Sequence, residues 1–129
     1  MSGLHKAAAI CFVATGGLLT AFGLFSLLGT LTGGAMTIAG VAGGDAEVGG
    51  LGAIVLLFYA VWMVACLGGG PLQIAAGVRL LRGGSIGALH WLATAAGLVS
   101  CVTVYCALPG IVSFALGIAS GVTPSEPTT

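Results

Sequence analysis

Residues 51–82 read LGAIVLLFYAVWMVACLGGGPLQIAAGVRLLR. Leu51 to Val78 is 28 residues without a charge, and Arg79 and Arg82 then close the stretch. A helix that crosses a bilayer needs about 20 apolar residues at about 1.5 Å each. As one helix, residues 51–82 are roughly 48 Å long, beyond the roughly 30 Å hydrocarbon core, so the helix has to tilt, kink or reach into the headgroups. Counted back from Arg79 at the interface, Pro71 lies about 12 Å inward. Gly68, Gly69, Gly70 and Pro71 therefore fall near mid-membrane. Pro71 has no N–H and its ring crowds the carbonyl of Leu67, and three glycines before it make bending easy. Two readings follow: a kink that fits one helix against another, and a discontinuous helix that offers backbone polar groups to a ligand or ion near the midplane. The kink is the simpler expectation.

Composition supports the membrane reading. The 129 residues are 58% hydrophobic and 5% charged, with net charge +0, against about 25% charged in a soluble domain. Three acids and three bases are too few to cover a soluble fold. No basic patch points to nucleic acid. The glycine- and alanine-rich composition hints at a bacterial, GC-rich source. The cysteines, Cys11, Cys66, Cys101 and Cys106, all fall in apolar segments without a CxxC or a neighbouring histidine, and read as small packing residues.

The rest of the chain extends this pattern. A short polar start with His5 and Lys6 precedes Ala7–Leu31, an uncharged run too long for a signal-peptide core and read as a first span. Ala9, Gly16, Gly23 and Thr30 recur every seven residues and suggest a helix-packing seam of small side chains. Residues 32–50, TGGAMTIAGVAGGDAEVGG, read as a long connection, with Asp45 and Glu47 solvated and with no third ligand for a metal. Gln73 is the sole side-chain amide, two residues past Pro71. It is expected to satisfy backbone groups that the kink frees, with a substrate contact as the second option.

Gly83 reads as a helix cap. Residues 86–108 read as a third span, on which His90, Thr94, Gly97, Cys101 and Tyr105 share one face. In a membrane this polar stripe belongs against other helices. Pro109 suits the first turn of a new helix. Residues 110–122, with Gly117 and Gly121 in a GxxxG spacing, read as a short fourth helix or as a bent continuation of the third. Residues 123–129 are a polar tail.

At residues 72–83, LQIAAGVRLLRG, the chain resembles small uncharacterised bacterial membrane proteins with four predicted spans. In these, a similar Gln-Ile…Gly-x-Arg-Leu-Leu-Arg-Gly run ends a span. The similarity is close over those twelve residues only. It implies four segments and carries no activity.

The expected fold is thus an all-α integral membrane helical bundle: three full spans, at about 7–31, 51–82 and 86–108, plus a short fourth apolar helix, in a single domain over 1–122. No nucleophile–base pair, ligand cluster or phosphate loop is legible, so no catalytic, cofactor or metal site is expected. The expected partners are the lipid bilayer and either other membrane subunits or a second copy. The expected role is a structural, accessory or assembly subunit packing through small-residue helix faces. The alternative is a small oligomeric channel or carrier built on Gly68–Pro71. Lys6, Arg79 and Arg82 place the N-terminus and the Gly83 turn on the cytoplasmic side of a bacterial inner membrane.

Overall fold

The structure is a computed structural model describing residues 2–102 and 107–124. The described residues form four helices: α1 (Gly3–Gly43), α2 (Ala46–Leu81), α3 (Ala88–Val102) and α4 (Ala107–Val122). They fall into two compact units. One, the four-helix unit, contains the chain up to Thr20 and from Gly68 onward; the other, the hairpin unit, is Ala21–Leu67. Tyr105, Cys106 and most of the polar tail lie outside the described residues.

The hairpin unit corrects the expected long connection. Residues 32–50 are almost wholly helical, and α1 passes to α2 through Gly44 and Asp45 alone. Gly44 sits at φ 69°, in the left-handed region that glycine adopts freely. Its N–H donates to Val41 O, and Asp45 N–H donates to Gly40 O at 2.9 Å, which closes α1 in a Schellman motif. Asp45 then caps α2, with its Oδ1 accepting from the amides of Glu47 and Val48, both at 3.1 Å.

The glycines that suggested a loop are the contact surface of this hairpin. A Cβ on Gly33 would stand 2.7 Å from Leu56 Cα, one on Gly40 would overlap the Gly49 backbone, and one on Gly52 would overlap the Thr37 amide. A glycine costs a helix about 1 kcal/mol relative to alanine. Close backbone approach offsets that here. Gly23 faces Leu67, and Gly29 faces the Tyr59 ring. Contacts advance along α1 as they retreat along α2, so the pair is antiparallel.

In the four-helix unit α1 and α2 are again antiparallel: Gly77 abuts Ala9, and Gly70 abuts Gly16 and Thr20. Helix α2 runs through Gly68–Pro71 without interruption, so the discontinuous-helix reading is not what the chain adopts. Gly70 meets α1, a Cβ on Gly69 would stand 3.4 Å from the Ala96 Cβ on α3, and Gly68 and Pro71 face outward. The glycines therefore serve approach on two sides. The expected third full span is also corrected. Helix α3 covers Ala88–Val102, while Ala107 and Leu108 already belong to α4. Pro109 is the third described residue of α4. Pairing of Trp91 with Gly121, Gly97 with Phe114 and Ser100 with Gly110 makes α3 and α4 an antiparallel hairpin.

Burial is inverted relative to a soluble domain. Among the described residues the buried set is dominated by alanine, serine, threonine and glycine, with Gln73 and the two histidines, and holds only Phe12, Leu19 and Leu80 as large apolar side chains. The exposed set includes Leu24, Leu28, Ile54, Leu57, Leu98 and Ile111. On α4 the buried face is Gly110, Ser113, Gly117 and Ser120, and the aliphatic side chains point away from it. Helices α1 and α2 are long and apolar enough to cross a membrane, and their most apolar windows are only 39% and 11% buried. The core helix of a soluble fold would be mostly covered.

A buried polar cluster as the candidate functional site

A cluster of buried polar side chains lies inside the four-helix unit. Gln73 is fully buried on α2. Its Nε2 donates to Ala93 O on α3 at 3.1 Å and to Ser113 Oγ on α4 at 3.5 Å. It thus ties three helices together and does not serve the carbonyls near Pro71, which corrects the expected role. The reason is register. Gln73 follows Gly69 by four residues on the face of α2 that meets α3, so its amide reaches the neighbouring helix.

His90 on α3 is 3% exposed. Its Nε2 lies 2.8 Å from Gly117 O. A carbonyl only accepts, so Nε2 carries the hydrogen. Gly117 is the residue that permits this contact, because a Cβ there would run into Thr94 and stand 3.1 Å from the Phe12 ring. Phe12 packs edge-on against the imidazole, with centroids 5.4 Å apart. Thr94 Oγ1 donates to His90 O within α3 at 2.9 Å. Thr15 Oγ1 on α1 donates to Pro109 O on α4 at 3.4 Å.

The expected stripe on α3 is therefore partly assembled as read. His90, Thr94 and Gly97 are buried against other helices, while Cys101 is half-buried with its thiol donating to Gly97 O at 3.2 Å. Tyr105 lies outside the described residues. Of the expected packing residues, Ala9, Gly16 and Gly23 face α2 within their own units. Thr30 is half-buried and bonds back to Ser26 O in its own helix at 2.9 Å. Gly117 lies in the α3–α4 contact, and Gly121 lies under the Trp91 ring.

Sequence reasoning missed Ser113 and Ser120, and it gives Thr15 a carbonyl of its own helix where the hydroxyl reaches Pro109 O on α4. The signal was present in the alternating three- and four-residue spacing of Gly110, Ser113, Gly117 and Ser120, which marks one face of a helix.

Comparison with known families, curated proteins and solved structures finds no match to this chain. What the cluster can do is therefore read from its geometry. Ser120 Oγ lies 3.4 Å from His90 Nε2, but that nitrogen already donates to Gly117 O, and Ser120 Oγ itself is directed to the same carbonyl at 3.2 Å. Nδ1 of His90 is buried with no partner, so no carboxylate orients the ring. Ser120 is completely buried. Such a pair lacks both the base and the access that nucleophilic chemistry needs. Among the described residues no three of His, Cys, Asp or Glu are grouped to hold a metal. The arrangement is suited to holding helices in register. Two buried acceptors, Gln73 Oε1 and His90 Nδ1, are left unpaired.

Proposed function

We propose that this chain is a small multi-pass protein of a bacterial cytoplasmic membrane, and that it serves as a non-catalytic accessory or assembly subunit beside larger membrane proteins or copies of itself. The observation that supports this best is the inverted burial. Exposing so many aliphatic side chains to water is unfavourable by about 25 cal/mol per Å², whereas lipid removes that penalty and drives hydrogen-bonding groups inward.

Lys6 belongs to the same end of the four-helix unit as Arg79 and Arg82, because Ala9 lies against Gly77. That end is cytoplasmic by the positive-inside rule. Since Gly121 lies against Trp91, the end of α4 is cytoplasmic too. Ala9, Gly16, Gly23 and Gly117 are engaged within the chain, so partner contact falls to the outward aliphatic faces instead of the small-residue seams. At 41 and 36 residues, α1 and α2 each exceed the about 20 residues that a span needs.

The test is alkaline extraction and flotation of the native membrane, then purification in nanodiscs with mass spectrometry of what accompanies the chain. A stoichiometric larger partner is the expected result. Release of the chain by alkali contradicts the membrane reading, and a chain that purifies alone contradicts the accessory role. The carrier reading loses its helix break but retains the two unpaired buried acceptors, Gln73 Oε1 and His90 Nδ1. Solute flux abolished by Gln73→Leu would favour it.

A further inference from the structure

Along the last turns of α2 and the residue just past its end, Pro71, Ile74, Ala75, Val78, Arg79 and Arg82 line one open groove of about 570 Å³. Their spacing of three and four residues puts them on a single helix face. The floor is apolar and the two guanidiniums stand at one end. From Pro71 to Arg82 the groove is roughly 16 Å long, close to the depth of one leaflet of a roughly 30 Å hydrocarbon core.

Arginines at a helix end often cap its last carbonyls, but here that task is already done. Gly83, at φ 80°, donates to Leu80 O at 3.0 Å, and Gly84 donates to Arg79 O at 2.9 Å. Gly84 also lines the groove, and a Cβ there would strike the Arg79 side chain at 2.5 Å. Its bareness lets Arg79 lie across the turn. The described acids, Asp45 and Glu47, belong to the hairpin unit, and the Asp45 carboxylate is engaged in capping.

We infer that this groove binds one anionic phospholipid of the cytoplasmic leaflet, its phosphate held by Arg79 and Arg82 and one acyl chain lying along Pro71, Ile74, Ala75 and Val78. Arginine forks match phosphate oxygens. The apolar floor selects a lipid over free phosphate, which has no use for it. The inference rests on the membrane reading above.

The experiment uses the full chain in phosphatidylcholine vesicles carrying spin-labelled phosphatidylglycerol or spin-labelled phosphatidylcholine, with the motionally restricted fraction read by electron paramagnetic resonance. Flotation with the vesicles and resistance to alkaline extraction are checked first; failure there sinks the membrane reading itself. With insertion established, the restricted fraction is expected to favour phosphatidylglycerol. Arg79→Gln or Arg82→Gln should each reduce that preference about 5-fold, and the double variant should abolish it. Ala75→Trp keeps both charges, fills the floor at an exposed position, and should also abolish it. Equal restriction of the two lipids overturns the site. So does a preference that Ala75→Trp leaves intact, because charge at the surface without a groove would then explain it. Competition by inorganic phosphate alone would also overturn it.

Discussion

The two units solve the same problem, holding apolar helices together without a large apolar core, by different means. In the four-helix unit, side chains reach between helices: Gln73 to Ala93 and Ser113, His90 to Gly117, Thr15 to Pro109. In the hairpin unit, the hydroxyls of Thr30, Thr32 and Thr37 each bond back to a carbonyl of their own helix. Contact there is backbone on backbone at Gly33, Gly40 and Gly52. Where lipid removes the hydrophobic drive between helices, close van der Waals packing and interhelical hydrogen bonds are what remain. The four-helix unit adds the second to the close contacts it also makes at Gly16, Gly70 and Gly77, whereas the hairpin unit is described by the first.

The comparison breaks most visibly at Gly40. Gly40→Ala places a methyl group on the Gly49 backbone, which has no side chain that can move aside. We expect a loss of about 2–3 kcal/mol, read by denaturant titration in mixed micelles, with hydrogen exchange rising in the hairpin unit. Next comes Gln73→Leu. It should cost about 1 kcal/mol, in the range of interhelical hydrogen bonds in membranes, and raise exchange at the α3–α4 contact while leaving the hairpin unit unchanged. Loss of both units together would show that the two devices are not separable.

These two positions also show what was legible in the sequence. That the chain is helical and apolar, that Gly83 caps α2, and that His90, Thr94 and Gly97 share an inward face follow from spacing and composition. The limits of the helices did not. Gly33, Gly40 and Gly49 weigh toward a loop when propensity is read locally, and only the opposing helix reveals why they are helical. The pair Gly44-Asp45 carries the turn in two residues, one supplying positive φ and the other an N-cap; that signal is present in the sequence but is shared by many loops. The direction of Gln73 was beyond local reading, because it depends on how Gly69 and Gly70 seat α2 against its neighbours. The same holds for the partner of His90, which is a backbone carbonyl and has no signature of its own.

Smaller effects sharpen the picture. Asp45→Ala removes the acceptor for two amides of α2 and should cost about 1 kcal/mol, with increased exchange confined to the first turn of α2. Asp45→Asn should recover most of the loss. Smallest of all, Gly17→Ala adds a methyl group where nothing lies within 4 Å. It should stabilise α1 by about 0.5–1 kcal/mol, in the same titration in which Gly40→Ala destabilises. A similar cost at both glycines would mean that close approach is not the reason for glycine at Gly40.

The central claim is that large aliphatic side chains face lipid while small and polar ones face inward. It is tested most directly by footprinting the reconstituted protein with a carbene reagent that partitions into the bilayer, followed by mass spectrometry. Adducts are expected at exposed Ile54, Leu57, Val61, Leu98 and Ile111, and not at buried Phe12, Leu19, Gln73 or Ser113. Labelling of Phe12 and Ser113 with protection of Ile54 and Leu57, or no bilayer-dependent labelling at all, would contradict the account.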